Sequence, residues 1–431
     1  MSKEENRKNF SKYVSQNILG MIGFSCYVLA DSYFISIAKG ADGLTALNLV
    51  MPLYSIIFSL GGMIGVGSAI RYAISKIKKD ADADDYFWNA LIWCIMSSMI
   101  FVFAGIFFSA DIMRVLGADE HIVAVGNNYT KIFMCFAPMF MCNYVTNAFV
   151  RNDGAPGIAM SATLFSSLFN IVFDYILMFP MNLGMEGAAL ATALSPIIGM
   201  GICSIHFFSK KSSVRLVVCK PSVRKLVAGC QLGISAFVGE MSSAVITLAF
   251  NFVILKLAGN VGVAAYGVVA NIAIVTTAVF NGVAQGSQPL ISSCFGRGDK
   301  DGCTQLKRMG YTTAFVLAAV MYSILFIFAG QFVAVFNSEG SEMLRLYATE
   351  GVKLYFIGIF FAGINIVGGG AFSATEDAFK AAVVSVARGF VLILGAVFVM
   401  SALFGMTGVW LAYAVAEGIT TFIMLVMVLR V

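Results

Sequence analysis

Four polar residues in long apolar stretches are of types that could hold a proton or a cation. Asp31 lies in the first such stretch, Asn170 and Asp174 lie in the fifth, and Thr192 lies in the sixth. Because Asn170 and Asp174 are four residues apart, a helix presents both on one face. Two carboxylates, an amide and a hydroxyl supply the oxygen ligands that hard cations prefer. We therefore predict an ion-coupling site for Na⁺ or a proton at Asp31, Asn170, Asp174 and Thr192.

The same four residues also have a purely structural explanation. Asp31 could reach water from a helix end, and Asn170 and Thr192 could simply bond to neighbouring helices. The functional explanation is preferred because a charge at the bilayer centre costs about 2.5–3.5 kcal/mol even on insertion scales. At 1.5 Å rise per residue, Asp31, Asp174 and Thr192 also reach a similar depth, roughly 9–12 Å below the outer surface.

Two further acids lie near the middle of later apolar stretches, Glu240 in the seventh and Glu417 in the twelfth. Either could bind a cationic substrate or a second proton, and a hydrogen bond between helices is the structural alternative. Arg388 in the eleventh stretch is expected to extend toward water, with a salt bridge to a buried acid as the other arrangement. Arg151, with Asp153 and Gly154, is expected to form a cytoplasmic turn.

These side chains must be positioned by membrane-spanning helices. The chain is 59% hydrophobic and 12% charged, whereas soluble proteins are about 25% charged. We predict an all-α polytopic membrane protein whose partner is the lipid bilayer, with no nucleic-acid partner. Spanning a bilayer takes roughly 20 residues, and twelve apolar stretches meet this need, near residues 13–38, 44–71, 86–109, 120–149, 155–180, 185–208, 224–257, 261–293, 309–331, 343–372, 378–402 and 406–429.

Two short passages occur twice at nearly the same spacing. GMEGAALA begins at Gly184 and GMTGVWLA at Gly405, 221 residues later, with five of eight positions identical. GADGLTAL begins at Gly40 and GNVGVAAY at Gly259, 219 residues later. A repeat of this length indicates a duplicated half, which is how many secondary transporters are built. We predict an N-lobe of residues 1–212 and a C-lobe of residues 213–431, each with six spans.

Basic residues concentrate at alternate connections between the spans. Because positive loops remain in the cytoplasm, we expect a multi-pass plasma-membrane protein with both termini cytoplasmic. An even number of spans per half makes the two repeats parallel. The basic residues concerned are Lys3, Arg7, Lys8, Lys12, Arg71, Lys76, Lys78, Lys79, Lys210, Lys211, Arg215, Lys220, Arg224, Lys225, Arg297, Lys300, Lys307 and Arg308.

The nine cysteines and two histidines show no paired spacing typical of a metal site. Most of the cysteines lie in or near apolar stretches, where a thiol packs as a small apolar group. We expect no cofactor beyond the coupling ion, Na⁺ or H⁺.

Several short motifs, in order along the chain, resemble those of the multidrug and toxic compound extrusion (MATE) family. They are residues 30–35 (ADSYFI), 149–154 (FVRNDG), 170–174 (NIVFD), 184–193 (GMEGAALATA) and 288–291 (QPLI). The resemblance extends over essentially the whole chain. No single motif is decisive, but their order on twelve predicted spans makes the set specific.

The resemblance implies a V-shaped, two-lobed transporter, not an enzyme, that exports small organic cations by Na⁺ or H⁺ antiport. It implies that Asp31, Asn170, Asp174 and Thr192 match an N-lobe cation site of part of the family, and that Glu240 matches a glutamate used by other branches. A proline common in the first span is missing here. An aspartate found in span 10 of some relatives also has no counterpart between residues 351 and 372. We expect a monomer.

Three alternatives belong to other functional classes. A flippase of lipid-linked oligosaccharides from the same superfamily would need several Arg or Lys in its cavity, and few basic residues lie in mid-span here. An intramembrane prenyltransferase would need two clustered aspartate motifs, of which only Asn170 to Asp174 offers a weak match. A membrane sensor without transport would not account for the internal repeat and the paired acids.

Overall fold

The computed structural model describes residues 3–336 and 341–429, and these are almost entirely helical with no strand among them. Short connections separate the helices, the longest being the segment 208–222. A 3₁₀ turn, Phe356–Gly358, and a π-helical turn, Ala387–Val391, interrupt the C-terminal part. The helices are α1 (Lys3–Lys78), α2 (Asp85–Val115), α3 (Glu120–Cys135), α4 (Ala137–Asn152), α5 (Pro156–Met178), α6 (Gly184–Phe207), α7 (Val223–Gly296), α8 (Lys300–Ile327), α9 (Ala329–Phe336), α10 (Glu342–Tyr355), α11 (Ile359–Ala374), α12 (Ala378–Val386) and α13 (Leu392–Leu429).

The repeated glycines are the points at which the chain reverses direction. Gly40 in α1 and Gly259 in α7 have φ angles of 59° and 62°, and Gly184 and Gly405 have φ angles of 52° and 58°. Only glycine adopts this left-handed region without a steric penalty. The sequence repeat therefore marks two equivalent pairs of sharp turns, one member in each half.

The number of membrane crossings follows from these breaks. Nine described helical segments are long and apolar enough to span a bilayer, with the two arms of α1 on either side of Gly40 counted separately. The pair α3 and α4, bent by 46°, makes a tenth. Two of these long segments contain a break, at Gly259 and at Gly405. Dividing them there gives twelve crossings among the described residues, six in each half, as predicted.

The interior consists of two main apolar cores, one for each half of the chain. Phe133 and Phe149 are fully buried in the first, and Phe280, Phe356 and Trp410 are fully buried in the second. Large apolar side chains also cover the outside of the helices, as expected for a surface in contact with lipid. The lobe boundary between residues 212 and 213 stays a prediction; it falls in the connection between α6 and α7.

The lobes touch along the side of the membrane on which α1 begins and the basic connections lie, here called the basic side. Gly67 of α1 packs so closely on α7 that a Cβ built on it would lie 2.0 Å from the carbonyl oxygen of Gly229. On the same side Arg71 forms an ion pair with Glu376. Glycine contacts and an ion pair thus close the basic side of the gap between the lobes.

Candidate functional site

The four residues predicted to form an ion-coupling site come together inside the N-lobe. Asp31, Asn170, Asp174 and Thr192 come from α1, α5 and α6, and each is at most 6% exposed. Asn170 satisfies both neighbours when its amide nitrogen faces Asp174, donating to Oδ2 at 3.1 Å. Its oxygen then accepts from the hydroxyl of Thr192 at 3.2 Å and from the backbone N–H of Thr192 at 3.3 Å.

The two carboxylates of this cluster keep unused acceptor capacity. Oδ1 of Asp31 and Oδ1 of Asp174 are buried, and neither has a hydrogen-bond partner within the described part of the chain. The carboxylates also lie close enough to interact electrostatically. Two like charges in a low-dielectric site repel strongly. A proton or a cation that joined them would remove that repulsion and use the free oxygens.

Three tyrosines beside the cluster were not predicted from the sequence. Tyr54 and Tyr129 share a hydrogen bond, and both lie near enough to Asp31 and Asp174 to interact with their charges. Tyr27 lies one helical turn before Asp31 and interacts with both acids and with Glu240. The i, i+4 spacing of Tyr27 and Asp31 was the available signal. The chain has 15 tyrosines, and nothing in the sequence distinguishes Tyr54 and Tyr129.

The donor set of this cluster suits a proton or an alkali cation. Carboxylate, amide and hydroxyl oxygens are ligands for hard cations. The described residues include no group of three or more His, Cys, Asp or Glu that could hold a metal ion. The cluster thus offers two acids supplemented by neutral oxygens.

Glu240 lies at the interface between the lobes. Its carboxylate accepts a hydrogen bond from the hydroxyl of Tyr144, on α4 of the N-lobe, at 3.3 Å. It lines the first cavity, which lies between the lobes and is bounded by residues that include Asn17, Phe24, Asn147, Arg151 and Gln285. The acid and two aromatic rings, Phe24 and Tyr144, would face a molecule held there.

Glu417 has a different environment from the one expected. Its carboxylate is 2% exposed and accepts from Nη2 of Arg388 at 2.7 Å and from Nε at 3.0 Å. Asn365 donates to its other oxygen at 2.7 Å and accepts from Thr421 at 3.0 Å. The expectation that Arg388 extends toward water is wrong, because its α13 partner fixes it inside the lobe. A role for Glu417 in binding a substrate or a second proton stays a prediction.

Arg388 in turn lines the second cavity, which adjoins the first. Asn281, Gln288 and Asn365 also line this cavity, and Gln285 contributes to both cavities. Arg388 lies in the π-helical turn of residues 387–391, a feature often found at functional sites. The second cavity is therefore lined by amides and a guanidinium held in place by Glu417.

Arg151 also departs from the prediction. It lies in the last turn of α4, is 4% exposed, and donates through Nη1 to Gln285 of α7 at 2.6 Å. The expected turn begins after it, where Asp153 accepts from Tyr72 at 3.1 Å and lies 2.8 Å from Nε2 of His206. The turn prediction is wrong for Arg151, because the side chain crosses the gap between the lobes. With Arg388 it brings two arginines to cavities that the sequence had suggested were poor in basic residues.

Comparison with known proteins shows that two parts of this chain match one family model. The family model named MatE matches this chain twice, over residues 17–176 and again over residues 236–399. The two matches begin 219 residues apart, which is the spacing of the repeated glycines Gly40 and Gly259. Together they cover well over half of the chain.

Relatives of known name agree with this match. The multidrug export protein MepA of Staphylococcus aureus (strain MRSA252) is 28% identical over 414 residues, 93% of this chain and 89% of that protein. MepA of Staphylococcus saprophyticus is 26% identical over 405 residues, with the same coverage.

Solved structures share the fold at lower sequence identity. An outward-facing multidrug resistance MATE transporter matches with a TM-score of 0.92 at 20% identity, over 99% of this chain and 96% of that one. A Pyrococcus furiosus transporter, described as having a binding pocket of reverse polarity that suggests a different function, matches with a TM-score of 0.90 at 20% identity, covering 98% and 95%. The predicted fold class, an all-α two-lobed membrane protein, is confirmed.

Proposed function

Because the chain belongs to the MatE family of membrane transporters, we propose that it is a multidrug efflux antiporter that exports organic, mostly cationic compounds in exchange for Na⁺ or H⁺. One observation carries this proposal. Asp31 and Asp174 are both buried in the N-lobe and close enough to interact electrostatically. Each has one oxygen without a partner among the described residues, and Asn170 connects Asp174 with Thr192. The relatives named as multidrug export proteins support the export of drugs.

The coupling ion acts by changing the charge of the cluster. With both carboxylates ionised, their repulsion opposes close packing of α1 against α5 and α6. Loading with Na⁺ or a proton cancels part of this charge and lets the helices pack together. Tyr27 interacts electrostatically with both acids of the cluster and with Glu240, so a shift of α1 changes the surroundings of the first cavity as well.

The substrate occupies the gap between the lobes. Glu240 supplies a negative charge, and Phe24 and Tyr144 supply aromatic faces that attract flat cations. In alternating access the two lobes rock around this site. Contacts on the basic side, such as Gly67 with Gly229, then close one entrance while the other is open. Ion loading from outside favours release of substrate to the outside.

The remaining parts of the proposal concern location and assembly. The basic side is taken as cytoplasmic because positive loops stay inside, which places both termini in the cytoplasm and the protein in the plasma membrane. The protein acts as a monomer, with no cofactor beyond the transported ion. Its chemistry is the binding and release of ions and substrates, without a catalytic step.

Ethidium efflux from liposomes that contain the purified protein tests the proposal. A Na⁺ gradient and a proton gradient are imposed separately on wild type and on Asp31→Asn. The expected result is efflux driven by one of the gradients in wild type and its loss in Asp31→Asn. Asp80→Asn, an exposed acid in the connection after α1, is the matched control and should transport as wild type does.

Two results would contradict the proposal. Asp31→Asn transporting at the wild-type rate would remove the cluster from the coupling path. Absence of efflux under both gradients, from wild-type protein shown to be folded by size-exclusion chromatography, would reject export of cationic drugs.

A flippase of lipid-linked oligosaccharides is the second candidate, and one observation favours it. Arg151 and Arg388 both line the cavities between the lobes, where a pyrophosphate would need positive partners. Acceleration of the movement of a fluorescent lipid pyrophosphate across the same liposomes would support this candidate. Among the described residues, Arg151 and Arg388 are the only arginines that line these cavities. Because Glu240 also opposes an anion, antiport of cations remains the first proposal.

A further inference from the structure

Arg151 is a buried arginine that forms no ion pair with any acid in the described part of the chain. Arg388 is paired with Glu417 and Arg71 with Glu376, whereas no described acid forms an ion pair with Arg151. Its Nη1 donates to the neutral amide of Gln285. Its buried Nε has no partner among residues 3–336 and 341–429. An uncompensated charge in such a place is costly, so something beyond these contacts must favour it.

The free part of the guanidinium has a definite shape. Nη1 bonds to Gln285, and on the opposite edge, formed by Nε and Nη2, the Nε–H has no acceptor among the described residues. That edge carries two parallel N–H groups that match the two oxygens of a carboxylate. Gln285 fixes the orientation of the guanidinium from the C-lobe.

Glu240 lines the same cavity and is an acid without a basic partner among the described residues. Its described hydrogen-bond partner is the hydroxyl of Tyr144, and no described basic side chain forms an ion pair with it. Tyr144 and Arg151 are seven residues apart on α4, hence on one face and about 10 Å apart along the helix. Asn147, between them, lines the same cavity. The cavity thus has an acid near one end of this face and a guanidinium at the other.

We propose that Arg151 is an anion-binding subsite and that, with Glu240, it selects zwitterionic substrates. The cationic group of the substrate binds Glu240 and its carboxylate binds the Nε–Nη2 edge of Arg151. A zwitterion neutralises both unpaired charges of the cavity, whereas a simple cation neutralises Glu240 and leaves Arg151 uncompensated. This inference rests on the proposed efflux function and narrows its substrate class.

The test compares two fluorescent dyes that differ in one methyl ester. Rhodamine 110 carries a free carboxylate and is a zwitterion, and rhodamine 123 is its methyl ester and a cation. Fluorescence polarisation measures the Kd of each dye for the full-length protein in detergent, with no ion gradient. The variants are Arg151→Gln and Arg151→Lys. Arg71→Gln, which alters an arginine between the lobes that does not line the first cavity, is the control.

Wild type is expected to bind rhodamine 110 more tightly than rhodamine 123. Arg151→Gln should weaken rhodamine 110 by about tenfold or more, because a charge-assisted contact is lost, and should leave rhodamine 123 within about twofold. Arg151→Lys keeps the charge but not the paired N–H edge, so its loss should be intermediate. Arg71→Gln should keep the wild-type ratio of the two Kd values.

Two outcomes would overturn the inference. One is wild type binding the ester at least as tightly as the acid, a comparison that needs no variant to fold. The other is Arg151→Gln changing both dyes equally, or neither. Failure of gradient-driven efflux would instead remove the antiport proposal, since these Kd values are measured without a gradient.

Discussion

In the N-lobe, Asp31 and Asp174 share one cluster that includes no basic side chain among the described residues, whereas in the C-lobe Glu417 is bound by Arg388 and Asn365. Both sites are buried in lobes of the same fold. Under the proposed function, a mobile ion compensates the N-lobe acids. Glu417 is compensated by Arg388, a residue of the chain. The comparison is therefore between an acid pair proposed to respond to an ion and an acid whose counter-charge is built into the fold.

The acid at Asp31 has no acidic counterpart at the equivalent position of the second repeat. Asp31 lies nine residues before Gly40, and Phe250 lies nine residues before Gly259. Phe250 is fully buried and stacks on Tyr266 with ring centroids 5.1 Å apart. The duplication therefore preserved the backbone turns, while an acid in one half corresponds to an aromatic ring of the apolar core in the other.

The largest expected effect comes from removing an N-lobe charge. Asp174→Asn should reduce gradient-driven efflux by about 100-fold, near the upper end of typical coupling between two ligands. The stability of the folded protein should not fall, because the repulsion from Asp31 is removed. Efflux from liposomes and thermal melting in detergent measure the two quantities. Asp111→Asn, an exposed acid on α2, is the control, and a loss of stability in Asp174→Asn without loss of efflux would reverse the comparison.

Changing the C-lobe counterpart of Asp31 should have the opposite consequence. Phe250→Ala removes a fully buried ring and should cost about 3–5 kcal/mol of stability. Asp31→Asn, at the equivalent position, should cost less than about 1 kcal/mol, because it removes a buried charge and keeps the side-chain volume. Denaturation of both variants in detergent gives the comparison. Equal destabilisation would show that the two positions serve the same structural purpose.

One substitution can break the Arg388–Glu417 ion pair of the C-lobe, and a second can restore the lost stability. Arg388→Gln leaves Glu417 buried without its cation and should cost about 3 kcal/mol. Adding Glu417→Gln removes the stranded charge and should restore most of that loss. Melting temperatures of the single and double variants test this. A double variant as unstable as Arg388→Gln would mean that packing, not charge compensation, explains the pair.

The sequence could predict the N-lobe cluster because its key relation lies within one helix. Asn170 and Asp174 share a face of α5 by spacing alone, and depth from the span ends brings Asp31 and Thr192 to their level. The fold was predictable for a similar reason, since the repeated glycines mark chain reversals that need a left-handed residue.

Contacts that depend on the rotation of one helix against another could not be predicted. Arg388 meets Glu417 because the π-helical turn of residues 387–391 faces the part of α13 that follows Gly405. Residue spacing along the sequence does not predict this orientation. Arg151 was assigned to a turn because the residues after it are polar, while its partner Gln285 lies 134 positions away. The chain bends at Phe136, just before Pro138, where α3 meets α4. The apolar stretch 120–149 predicts one continuous span there instead.

The smallest expected effect concerns the other arginine–glutamate pair, between Arg71 and Glu376 on the basic side. Its side chains are 24% and 23% exposed, so water and salt screen the attraction, and pairs near a surface contribute about 1 kcal/mol or less. A double-mutant cycle with Arg71→Gln and Glu376→Gln, followed by melting in detergent, should give that coupling at low salt. It should vanish near 1 M salt, where the screening length falls to about 3 Å. The same cycle on Arg388 and Glu417 should keep its coupling at high salt, because that pair is buried. Equal sensitivity of the two pairs to salt would mean that the Arg388–Glu417 pair is as open to solvent as the contact between the lobes. The contrast between this fixed pair and the N-lobe acids, proposed to respond to an ion, would then fail.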